Sequence, residues 1–205
     1  MKDMWDKRYS SEDYAYGTAP NDFFKQVLDK YNPQGTILFA AEGEGRNAVY
    51  AASKGLKAFA FDISIEGKRK ALELAKDKQV SINYEVGDFL KMDFMKCSFD
   101  VAALIYAHFP PNILSEYHKA ISDLIKPGGL LILEGFSKNN LALKKEDPKI
   151  GGPDKIEMLF SVDSIKGDFP NFEIIALEEA EVNLKEGLYH NGIAKVIRFI
   201  GRKKN

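Results

Sequence analysis

Residues 36–49 read Thr36-Ile37-Leu38-Phe39-Ala40-Ala41-Glu42-Gly43-Glu44-Gly45-Arg46-Asn47-Ala48-Val49. An apolar run breaks at Ala41 to Gly45, and a helix-like segment continues to Lys54. The pattern predicts a strand, a tight turn and a helix N-terminus. Glycine has no Cβ and tolerates positive φ, so backbone at such a turn can approach a ligand closely. The helix start offers unpaired N–H groups to an anion such as a carboxylate or phosphate. By itself the turn fits several cofactors, and the rest of the chain decides among them.

Outward from this point, short apolar runs alternate with amphipathic segments. Upstream, Asn21 is placed to cap a helix whose apolar stripe is Phe24, Val27, Leu28 and Tyr31. Downstream, Gly55 ends the first helix, and strands are expected over 57–61, 82–86, 99–106 and 130–133. Ser64 should cap a helix running to about Lys78. Asn112 should cap another, with the stripe Ile113, Tyr117, Ala120, Ile121 and Leu124. Lys126-Pro127-Gly128-Gly129 stops it. This alternation implies a parallel sheet with right-handed crossovers. Strands over 172–184 and 193–201 follow with no helix between them, so they form an antiparallel pair.

The chain has 205 residues and a formal net charge of −1, with 45% hydrophobic and 29% charged residues. That suits one sizeable core. It supplies no bulk field for nucleic acid or anionic lipid, so neither is an expected partner. Cys97 is the only cysteine, which precludes an internal disulfide and suits a reducing, cytoplasmic setting. No signal-peptide core or membrane-length apolar run is present.

In an open parallel sheet, ligands sit beyond the carboxyl ends of the strands. Asp62 ends the second strand and can accept hydrogen bonds from both hydroxyls of a ribose; otherwise it is a loop acid or cap. Asp88 can accept from an adenine amino group and Phe89 can cover a base, or Gly87-Asp88 is a surface turn. Arg46 offers a bidentate pair to a carboxylate tail, or stands exposed in the first helical turn. His108, just past the fourth strand, can orient a substrate or take a proton. His190 lies in the hairpin connection, either solvated or facing the cleft. His118 reads as a partly exposed helix residue. No spacing of the three histidines, or with Cys97, suggests a metal site. Trp5, Arg8, Tyr9, Tyr14 and Tyr16 crowd the N-terminus as a lid over the cleft or as a helix on the sheet edge.

Taken in order, these residues resemble a class I S-adenosylmethionine (SAM)-dependent methyltransferase over nearly the whole chain. The carriers are the turn at 41–47, Phe61-Asp62, Gly87-Asp88-Phe89, Phe99-Asp100 and Leu124-Ile125-Lys126-Pro127-Gly128-Gly129. Trp5-Asp6-Lys7-Arg8-Tyr9, with 14–21, is similar to the branch related to tellurite-resistance and thiopurine-type small-molecule methyltransferases. The resemblance implies a Rossmann-like α/β fold, a seven-stranded mostly parallel sheet closed by the C-terminal hairpin, with helices on both faces. It implies SAM as cofactor, surrounded by Tyr16, Gly17, Gly43, Gly45, Arg46, Asp62, Ile63, Asp88, Phe89, Tyr106, Ala107 and His108. Many members carry an acid and a glycine where this chain has Phe39 and Ala41. The ligand's ammonium then falls to Glu42, or to backbone carbonyls near Ala41 and Tyr106.

The expected reaction is methyl transfer to a small molecule, such as a thiol or a metalloid oxyanion. Tyr9, Tyr14, Phe136 and His190 are the expected substrate-side residues, with His108 as the base where one is needed. Two other readings stay open: an NAD-dependent oxidoreductase, because 43–48 formally satisfies G-x-G-x-x-A, and a non-catalytic SAM-binding module. Residues 1–35 are expected to form a helical cap on this single domain, and 138–160 an active-site loop.

Overall fold

The computed structural model describes residues 1–92, 94 and 98–205. Fourteen helices and strands run along them in the order α1 Lys2–Tyr9, α2 Asp22–Tyr31, β1 Thr36–Ala40, α3 Arg46–Ser53, β2 Lys57–Asp62, α4 Ile65–Asp77, β3 Asn83–Val86, β4 Phe99–Ile105, α5 Pro111–Leu124, β5 Ile125–Phe136, α6 Asn140–Glu146, α7 Val162–Asp168, β6 Phe172–Glu186 and β7 His190–Lys203. The seven strands form one sheet in the order β3-β2-β1-β4-β5-β7-β6. The first five are parallel, and β7 inserts antiparallel between β5 and β6. The chain therefore reverses direction across the sheet between β1 and β4, where ligands of such sheets bind.

Alternation along each buried strand divides the core. Ile37, Phe39, Val101, Ala103, Leu130 and Ile132 face α2, α3 and α4. Leu38, Ala40, Ala102, Leu104, Leu131 and Leu133 face α5 and α7. Neighbouring residues point to opposite faces, so near-continuous apolar runs appear where both faces are covered. Asn21 and Ser64 cap α2 and α4 as expected, accepting from Phe24 N and Gly67 N.

Some boundaries differ. Pro110, not Asn112, precedes α5 as its N-cap, because Pro111 is preorganised for the first helical position. β5 begins at Ile125 rather than after the glycines: Phe99 pairs with Ile125, and the register shifts before Val101 meets Leu130. Region 138–160 is no plain loop, for it contains α6 and two short 3-10 turns. No helix among the described residues is long and apolar enough to cross a membrane.

Gly45 joins the turn to α4. Its φ is +86°, and a Cβ there would lie 2.5 Å from Ala71 Cβ. Gly45→Ala should cost about 2 kcal/mol from strain and overpacking. That lowers Tm by about 6 °C for a chain of this size, as thermal unfolding would show.

Candidate functional site

The turn after β1 has Ala41, Gly43 and Gly45 at positive φ. It folds Glu42 back onto its own helix. Glu42 Oε1 accepts from Asn47 N and Ala48 N, both at 2.8 Å. The N–H groups expected to receive a ligand's anion are thus capped by the chain itself. Burial pushes Glu42 up to about 7 despite these donors. Phe39, which stands where many members of the resembled family carry an acid, lies in the core against Phe24 of α2, ring centroids 5.4 Å apart.

Asp62 accepts from Gly43 N at 3.0 Å and Ser64 N at 2.9 Å. It is buried, and burial raises it to about 6. Each oxygen has spent one lone pair on backbone, which leaves capacity for two hydroxyls. Ile63 stands at the bend that follows. Neither Glu42 nor Asp62 has an ion-pair partner among the described residues. Asp88 accepts a hydrogen bond from Tyr117 Oη and stays half-exposed. Phe89 does not cover the cleft. It is buried in the core, stacked on Phe61 at 4.6 Å.

The N-terminal segment lies over these strand ends. The Tyr9 hydroxyl lies 2.6 Å from where a Cβ on Gly43 would stand, so only glycine admits it. Tyr9 therefore sits against the glycine turn after β1. Tyr14 is tied to α4, where its hydroxyl donates to Lys70 O at 3.0 Å. Lys70, unremarked in the sequence, is buried and donates to Glu44 Oε1 at 2.7 Å, Ser11 O at 2.8 Å and Asp13 O at 2.6 Å. Ala15 N in turn donates to Glu44 Oε2 at 2.8 Å. Tyr16 accepts from Arg8 Nη1 at 2.8 Å and packs on His190, ring centroids 4.4 Å apart. Gly17 follows at φ +72°.

Two arginine–carboxylate pairs form the floor. Arg46 Nη2 meets Glu186 Oε2 at 2.9 Å, and Arg198 Nε meets Glu134 Oε2 at 2.6 Å. Asn21 Nδ2 donates to both acids, at 2.7 Å to Glu134 and 3.1 Å to Glu186. Burial pushes Glu186 up, but His190 and Arg46 outweigh it and hold it at about 2. Tyr106 (φ +54°) places its ring 4.5 Å from His190 and 4.7 Å from Phe136. His190 is thus not a solvated turn residue. It is buried, and desolvation lowers it. A cavity of about 450 Å³ opens beside this floor, lined by Tyr16, Arg46, Glu134, Glu186 and Arg198 among others.

His108 is differently committed. Its Nδ1 donates to Met158 O at 2.7 Å, and its Nε2 accepts from Phe136 N at 3.0 Å. Burial lowers it to about 4. The ring braces the loop after β5, and Ala107 beside it is buried. His118, expected to be partly exposed, is fully buried with Nδ1 on Asp168 at 2.7 Å. Its partner lies fifty residues away on α7, which no helical period announces. No group of His, Cys, Asp and Glu among the described residues could hold a metal, and Cys97 lies outside those residues.

The model of a methyltransferase domain family matches residues 37–129, from β1 to the glycines of β5. No curated protein matches the chain by sequence. Among solved structures, one from work on the conversion of a disulfide bond into a thioacetal group during echinomycin biosynthesis has a TM-score of 0.78 at 18% identity, covering 100% of this chain and 92% of the other. TehB from Haemophilus influenzae has a TM-score of 0.71 at 15% identity, covering 99% of this chain and 67% of its own. The 1,6-didemethyltoxoflavin-N1-methyltransferase of Burkholderia thailandensis, crystallised with S-adenosylhomocysteine, has a TM-score of 0.62 at 15% identity, covering 89% and 76%. At these identities the likeness is one of fold.

A cationic ligand seated against the raised Glu42 and Asp62 would bind in a pH-dependent way. A cationic ligand favours their ionised forms, so binding releases protons between pH 5 and 8. S-adenosylhomocysteine should bind about tenfold more weakly at pH 5.5 than at pH 8 by calorimetry, and Glu42→Gln should remove most of that difference. Without ligand the sign reverses. A carboxyl raised in the folded state contributes stability below its unfolded pKa, and that contribution is lost as pH rises through about 7.

Proposed function

We propose that this chain methylates a small-molecule acceptor, with the donor held at the β1, β2 and β4 ends. The observation that carries this reading is a pair of enclosed carboxylates, Glu42 and Asp62, with no counter-ion of their own. Uncompensated buried charge is costly, so such a pair suits a cationic ligand. SAM supplies a sulfonium whose methyl group is already activated. Asp62 would take the ribose hydroxyls, with Ile63 alongside and Asp88 toward the adenine. Glu42 would face the ammonium, and Arg46 the carboxylate. Gly17, Gly43, Gly45 and Ala107 would allow close backbone approach, with Tyr16 and Tyr106 as walls.

The chain's own work is then to align the acceptor and exclude water. In this reading residues 1–35 close the site from above, 138–160 form its side wall, and 1–205 act as one domain. Phe136 and His190 border the acceptor, and Tyr9 serves the donor side instead. His108 acts as a brace rather than a base, since both its nitrogens already hold backbone partners. The cavity volume fits a small ligand. The N-terminal Trp5 to Tyr9 motif supports the tellurite-resistance and thiopurine-type branch, with a thiol or metalloid oxyanion as acceptor. The balanced charge and lone cysteine support a cytoplasmic enzyme without nucleic-acid or membrane partners. The methyltransferase match spans the turn that formally suits NAD, which speaks against a nicotinamide enzyme.

The test is a screen of S-adenosylhomocysteine formation against thiols, tellurite, selenite and small amines. NADH binding without SAM binding, by calorimetry, would overturn the reading. His108→Asn should lower Tm by several degrees yet leave the shape of the pH–rate profile unchanged, since its loss removes about two backbone hydrogen bonds and no titrating base.

A further inference from the structure

At the floor of the site, the two acids have little hydrogen-bonding capacity left, and Arg198 has much. Glu134 accepts from Asn21 Nδ2 at 2.7 Å, Tyr106 Oη at 3.1 Å and Arg198 Nε at 2.6 Å. Glu186 accepts from Asn21 Nδ2 at 3.1 Å, Arg46 Nη2 at 2.9 Å and His190 Nδ1 at 2.9 Å. A carboxylate has about four acceptor sites, so both acids are nearly spent. Arg198 is not. A guanidinium carries five N–H donors, and this one uses only Nε. Its two terminal nitrogens have no protein partner among the described residues. Its plane rests on the Phe23 ring at 4.8 Å, the side chain is 21% exposed, and it lines the cavity. Glu134 holds one edge and Phe23 one face, so the open fork is preorganised.

We propose that Arg198 receives a carboxylate of the methyl acceptor, which makes the acceptor a small molecule bearing a carboxylate beside its nucleophile. Such an anion supplies two acceptor oxygens in the spacing of the guanidinium fork. A neutral acceptor would leave those donors to water. The donor's own carboxylate has the same chemistry, but Arg46 at the head of α3 already stands beside the glycine turn. This inference rests on the methyltransferase reading above.

The experiment titrates the S-adenosylhomocysteine-loaded protein with 3-mercaptopropionate and with its neutral isostere, 3-mercaptopropionamide. Wild type should bind the acid about tenfold more tightly than the amide, as expected for a charge-assisted pair. Arg198→Lys keeps a cation beside Glu134, so the fold survives, but it loses the fork. It should cut the preference to about threefold or less, with the S-adenosylhomocysteine dissociation constant changed less than about twofold. Equal binding of the two thiols by wild type, or no binding of either, overturns the inference while leaving the methyltransferase reading intact. A Lys variant that loses S-adenosylhomocysteine affinity also overturns it, by assigning Arg198 to the donor. Wild type that binds no S-adenosylhomocysteine fails the underlying reading instead.

Discussion

Lys70 holds the site's parts in one geometry. Its ammonium is buried and meets three oxygens, one from Glu44 in the glycine turn and two from the N-terminal segment. The Tyr14 ring covers it at 4.7 Å. Removing a charge from water costs several kcal/mol, which is recovered only when the geometry is good and every proton has a partner. Here the three protons are matched by three acceptors. The turn, α4 and the N-terminal segment therefore order together. Gly45 packing on Ala71, the next residue of α4, tightens the same junction.

From that junction follows a division of labour among the buried acids. Glu44, Glu134 and Glu186 are paired with Lys70, Arg198 and Arg46 and build the frame. Glu42 and Asp62 are held only by backbone N–H groups and Asn47, and their carboxyls sit above the ordinary range. Paired acids rigidify, whereas buried acids without a counter-ion are costly to ionise. The same logic explains Phe39. An acid at that position would stand in the apolar layer under α2, where Phe24 now closes over it.

Much of the frame was legible in the chain because its signals are local. Caps at Asn21 and Ser64, the glycines of the turn and the apolar runs act within a few residues of themselves. What stayed hidden was short or remote. α6 and α7 have seven residues each, too few for an apolar period to show, although the Ser161 capping box marks the start of α7. His118 looked like part of a helix surface until Asp168 and Phe169 covered it.

The sequence alone therefore determined the order of the strands and of the helices between them up to β5, the hairpin closure and which strand ends carry acids, since turn chemistry and periodicity are written in neighbouring residues. The tertiary structure decided what each polar side chain does there. It turned Phe89 into the core, spent both nitrogens of His108 on backbone, brought His190 under Tyr106 and left the fork of Arg198 open. The reason is separation along the chain: Asn21 meets Glu134 across 113 residues, and only the folded sheet chooses that partner.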